Sequence, residues 1–70
     1  PDTVDAVEDL LSNEPHPTVV RKCAEALAKV GGYSSIPKLE RHLYNDNART
    51  RWKVRNALAE IRMRLGIDVD

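Results

Sequence analysis

Val19-Val20-Arg21-Lys22-Cys23-Ala24-Glu25-Ala26-Leu27-Ala28-Lys29-Val30-Gly31-Gly32 is the stretch that decides the fold class. Its apolar residues Val20, Cys23, Ala24, Leu27 and Val30 recur three and four positions apart, the spacing of one face of an α-helix. Pro17 stands just ahead, where a first helical residue needs no N–H, and Gly31-Gly32 is a strong stop. A helix from Pro17 to about Val30 follows.

The same spacing appears on both sides of it. Val4, Val7, Leu10 and Leu11 predict a helix from about Thr3 to Ser12, with Asp2 or Thr3 as its cap. Beyond the glycines, Ile36, Leu39 and Leu43 predict a third helix that starts after Ser34 or Ser35 and takes Pro37 in its first turn. Tyr44-Asn45-Asp46-Asn47 breaks the chain, with Asp46 or Asn47 as the next cap. Val54, Ala57, Leu58, Ile61 and Leu65 then predict a fourth helix that stops near Gly66.

The two halves match one another. A shift of 32 places Val4, Val7, Glu8 and Leu11 on Ile36, Leu39, Glu40 and Leu43. A shift of 34 places Val20-Arg21 on Val54-Arg55, Leu27 on Ile61 and Gly32 on Gly66. Self-similarity with a period of about 33 residues is the mark of a helical repeat. The stretch quoted above, with Ser35-Ile36-Pro37-Lys38-Leu39 and Leu43 after it, resembles the short HEAT-like repeats named after phycobilisome lyases. Their second helix runs Val-Arg, then small residues, then Leu, then Gly. The resemblance implies an all-α fold of two stacked antiparallel helix pairs, a short α-solenoid, with one repeat over about 2–31 and the next over about 34–66 of a single domain 1–70. It implies protein recognition as the function, and it carries no lyase chemistry, because fold alone does not transfer activity.

Composition is consistent with that reading. The chain has 70 residues, 41% hydrophobic and 31% charged, with one Trp, two Tyr and no Phe, so its core is aliphatic. Net charge is zero but unevenly spread. Asp2, Asp5, Glu8, Asp9 and Glu14 open the chain, whereas Arg49, Arg51, Lys53, Arg55, Arg62 and Arg64 face only Glu60 between Asn47 and Gly66. One cysteine excludes an internal disulfide, and no apolar run reaches the roughly 20 residues of a membrane span, so a cytoplasmic protein is expected.

Catalytic and metal-binding groups are not expected. His16 and His42 have no acidic or cysteine neighbour at ligand spacing, and Cys23 lies on the apolar face as a buried thiol. The HEAT-like enzyme deoxyhypusine hydroxylase holds iron through His-Glu pairs in its second helices; the matching positions here are Lys22-Cys23 and Asn56-Ala57. No cofactor is implied.

Helical phase then suggests a working surface. Val19, Cys23, Ala26 and Val30 form an apolar flank expected to face the following repeat, and the equivalent Lys53, Ala57, Glu60 and Arg64 a charged flank expected to close the stack. The inner side of the two second helices presents Arg21, Lys22, Lys29, Arg51, Trp52, Arg55, Asn56 and Met63, the candidate partner-binding residues. Arg21 and Arg55 also suit an inter-repeat ladder to a loop acid or carbonyl such as Glu14 or Asp46. Trp52 is either an exposed anchor or a cover for the loop before it. A protein partner is the leading expectation. The alternatives are nucleic-acid backbone binding through Arg49, Arg51, Lys53, Arg55 and Arg62, and a spacer that stacks with further repeats or weakly with itself.

Overall fold

The computed structural model describes residues 3–13 and 16–67. Four helices follow in order: α1 Thr3–Asn13, α2 Pro17–Val30, α3 Ser35–Glu40 and α4 Ala48–Leu65. Among the described residues there is no strand. Short connections fold α1 back on α2 and α3 back on α4 as antiparallel pairs. The pairs stack so that α2 lies along α4, the most extensive packing in the molecule, while α1 meets α3. This is the two-layer HEAT-like arrangement the repeat predicted.

Local chemistry sets the ends. The His16 ring Nδ1 accepts the Thr18 N–H at 3.2 Å, and Pro17 follows as the first helical residue of α2. Asn47, not Asp46, caps α4 by accepting the Thr50 N–H at 3.0 Å. Gly66 ends α4 at φ 72, with Ile67 N–H on Arg62 O and Gly66 N–H on Met63 O, the paired bonds of a left-handed glycine cap. Asp2, the other candidate cap for α1, lies outside the described residues.

Gly31 stops α2 for a different reason than the sequence suggested. Its φ is −70, an ordinary extended value. What requires glycine is space: a Cβ there would sit 2.9 Å from Ser35 Oγ and 3.1 Å from Ile61 Cδ1. The third helix is also shorter than its apolar spacing implied. After Glu40 the bonds tighten to His42 N on Leu39 O and Leu43 N on Glu40 O, so Leu43 reaches the core from a turn.

Leu11, Val20, Leu27, Leu39, Val54, Leu58 and Ile61 form the buried core with Cys23, Ala24 and Ala57, and Ile36 and Leu65 pack at its edge. Among the described residues three polar ones are buried with them: Glu8, Ser35 and Thr50. Two expected core residues are not covered, since Leu10 is 49% and Val30 53% exposed.

That exposure reverses the expected direction of stacking. The flank Val19, Cys23, Ala26 and Val30 faces away from α4, at the free end of the α1–α2 pair. Lys53, Ala57, Glu60 and Arg64 do not close the stack; they lie against α2. Lys53 pairs with Glu25 at 2.6 Å, Ala57 is buried, and Arg64 donates to Ala28 O at 2.7 Å and Gly31 O at 2.5 Å. The charges sit at the junction because they bridge it: Arg64 satisfies carbonyls left over at the C-terminus of α2.

Candidate functional site

Besides the Lys53–Glu25 and Arg64 bridges, polar joints at Glu8 and Arg21 hold the pairs in register and thereby shape the surface between α2 and α4. In the outer layer the buried Glu8 carboxylate of α1 accepts Ser34 Oγ at 2.8 Å, Ser35 Oγ at 2.6 Å and Lys38 Nζ at 3.2 Å. Burial pushes this carboxyl up, but the bonds from Ser35, Ser34 and Lys38 and the Lys38 charge outweigh it and hold it below its ordinary value. In the inner layer Arg21 donates to Thr50 Oγ1 at 3.2 Å and Asn47 Oδ1 at 3.4 Å across the junction, and to Thr18 Oγ1 at 3.2 Å on its own helix. Arg21 therefore works as the ladder, with a capping amide and a threonine as partners. Asp46 offers its carbonyl to Arg51 instead, and Glu14 lies outside the described residues.

Along the seam where they meet, α2 and α4 leave a groove of about 480 Å³. Ala24, Ala28 and Ala57 make its floor, and Lys29, Trp52, Asn56, Ala59 and Glu60 its sides, with the Glu25–Lys53 pair spanning it. Small side chains there let the helices approach and leave space above them. Trp52 is 61% exposed rather than packed over the loop before α4, and Lys53 Nζ lies 5.9 Å from its ring centroid. The hydrogen bond and charge of Lys53, with the charges of Lys22 and Lys29, hold the Glu25 carboxyl below its ordinary value.

The eight candidate residues do not form one face. Lys29, Trp52 and Asn56 line the groove. Arg21 and Arg51 belong to the framework: Arg51 donates to Asn45 O at 2.7 Å and Asp46 O at 3.1 Å, closing the loop before α4. Lys22 stands at the free end of the α1–α2 pair, and Arg55 at the opposite end beside Leu43, Leu58 and Arg62. Met63 is exposed and lines none of these hollows.

Sequence reasoning missed Glu8, Ser34, Ser35 and Lys38 as one cluster, and the alanines as a floor. A signal was present for the first: Glu8 occupies the place of a buried position in the helical pattern, one residue after Val7 and three before Leu11. Cys23 is buried, and burial pushes its thiol up, away from the reactive thiolate. Among the described residues no group of three His, Cys, Asp or Glu side chains is placed to hold a metal ion. No helix of the described residues is long and apolar enough to cross a membrane.

Comparison with known proteins agrees with this geometry. Neither the curated proteins nor the solved structures give a match. A family model for HEAT repeats matches residues 1–62, nearly the whole chain. With its repeat-to-repeat match, its paired helices and its arginine ladder, the chain belongs to the HEAT-repeat family.

Proposed function

We propose that this chain is a protein-recognition module that takes a segment of a partner protein in the groove between α2 and α4. HEAT repeats as a family mediate protein–protein interaction and scaffolding. The observation that carries the reading here is Trp52, 61% exposed at the side of an alanine-floored groove. A tryptophan that buries little in its own fold has its area left for a partner, and such residues dominate binding energy. The groove's charges balance, with Lys29 and Lys53 against Glu25 and Glu60. This favours an amphipathic segment that offers an apolar ridge to the alanines and polar groups to Asn56 and the lysines.

Nucleic-acid binding has less support. Of the five basic residues that suggested it, Arg51 holds loop carbonyls, Lys53 holds Glu25 and Arg62 holds Glu40 at 2.8 Å. Arg49 and Arg55 alone remain without such partners among the described residues, too few for a phosphate track.

Selection of peptides against the folded domain tests the proposal. Bound peptides should quench Trp52 fluorescence, shift the amide resonances of Ala28, Trp52 and Asn56, and weaken at least tenfold with Trp52→Ala. Peptides that bind Trp52→Ala undiminished, or shift resonances elsewhere, would refute it. Titration with generic DNA at low salt should leave the fluorescence unchanged.

A further inference from the structure

We propose that the segment taken up by the groove between α2 and α4 is acidic, with an apolar ridge on the alanine floor and aspartates or glutamates on both flanks of that ridge. This deepens the recognition reading given above and rests on it.

The chain has no net charge, but the fold sorts its charges by layer. α2 lies along α4 in one layer, and α1 meets α3 in the other. The α2–α4 layer holds nine lysines and arginines against two carboxylates, Glu25 and Glu60. α1 holds Asp5, Glu8 and Asp9 with no cation, and α3 holds Lys38 and Glu40. The uneven charge of the sequence becomes a basic face and an acidic back.

Most of that positive charge is not neutralised. Of the nine cations, Lys53 and Arg62 are ion-paired among the described residues, to Glu25 and Glu40. Arg21, Arg51 and Arg64 bond to amide, hydroxyl and carbonyl oxygens, which orient a guanidinium and leave its charge in place. Lys22, Lys29, Arg49 and Arg55 are exposed and have no hydrogen bond or ion pair among the described residues.

The position of this surplus decides the form of the occupant. Inside the groove Lys29 and Lys53 offset Glu25 and Glu60 above the alanines, so the part of a partner that enters is apolar. The surplus stands on the shoulders. On α2, Lys22 is close enough for its charge, with those of Lys29 and Lys53, to lower the Glu25 carboxyl, so three ammonium groups surround one carboxylate. On α4, Ala59 lines both the groove and the neighbouring hollow that Arg55 and Arg62 border. An apolar ridge laid along the seam therefore has cations on either side, and acids on its flanks meet them while the field of the whole layer draws the segment in. A nucleic-acid strand fits less well. It carries a phosphate at every unit and cannot omit one beside Glu25 or Glu60, whereas a peptide places acids only where cations stand.

Peptide selection against the folded domain, with Trp52 fluorescence to identify groove binders, tests this. From a library averaging zero charge, groove binders should average a net charge of about −3 or lower, and should weaken at least fivefold between about 0.05 and 0.3 M salt. Lys22→Glu and Arg55→Glu, each at an exposed residue, should weaken them at least fivefold. Arg41→Glu, the same charge change in the turn after α3, should weaken them less than twofold. Circular dichroism checks that each variant folds, and Lys22→Gln or Arg55→Gln replaces one that does not. Groove binders that are neutral or basic, or that ignore both shoulder variants, would overturn the acidic assignment and leave the groove itself standing. Displacement of the peptides by single-stranded DNA of equal total charge would also overturn it and give the face to nucleic acid. Acidic peptides that bind Trp52→Ala undiminished, or a selection that yields no binder, would overturn the groove and the assignment together.

Discussion

Replacing Glu8 by Gln removes one charge and almost no volume, and the structure sets what that should cost. The carboxylate is 2% exposed and accepts three bonds, two from serine hydroxyls and one from the Lys38 ammonium. A bond to a charged group contributes about 1.5–3 kcal/mol net and a neutral one about 0.5–1.5 kcal/mol. Gln keeps one oxygen and turns its amide toward either the hydroxyls or the ammonium, so one bond is lost and the others weaken. The expected loss is about 2 kcal/mol at pH 7, a large part of the roughly 4–10 kcal/mol total for a chain of this size. It corresponds to a fall in Tm of about 8–16 °C.

The loss should also depend on pH. The carboxyl is held below its ordinary value in the folded state, so unfolding lets it take up a proton in acid. Its stabilisation is complete above the unfolded value of about 4.3 and disappears as pH falls through the lower folded value. Urea unfolding followed at the helix band, from pH 7 down to pH 2.5, checks both parts. The natural and Gln chains should differ most at neutral pH and converge in acid. A loss under about 0.5 kcal/mol at pH 7, or one that does not change with pH, would refute the reasoning, since either would mean the carboxylate's bonds do not outweigh its burial.

Leu27→Ala empties a site of zero exposure where α2 meets the core, and should cost about 3–4 kcal/mol in urea unfolding with little change in slope. Arg21→Met and Arg55→Met change the same repeat position in different surroundings: the first should cost about 1–2 kcal/mol and the second under about 0.5 kcal/mol. Equal costs would remove the ladder. The Cys23 thiol, buried and pushed up by that burial, should react with a disulfide reagent at pH 8 far more slowly than in urea, and prompt native labelling would contradict its place in the core.

How much of this was legible before folding depends on range. The four helices and their faces follow from spacing between neighbours in the chain, and Pro17, Asn47 and Gly66 act within a turn of where they stand. The repeat itself is visible because equivalent positions in two pairs meet equivalent demands, as the buried Val20 and Val54, and Leu27 and Ile61, do. The stacking direction was not visible. Whether Val19 and Val30 or Arg21 and Ala28 meet α4 depends on which side of α2 the next pair lies, and both flanks suit packing: one is apolar, the other carries charges that find partners across the junction. Alanines become a groove floor only when two helices bring Ala24 and Ala28 opposite Ala57. The charge on Glu8 becomes acceptable in the interior only when residues 26 to 30 positions later surround it with donors. Periodicity records what each residue requires of its own helix. Which partner meets a charge or covers an apolar flank is a property of the assembled pairs, and it was there that the structure assigned Arg21 to the framework and left Trp52 in the open.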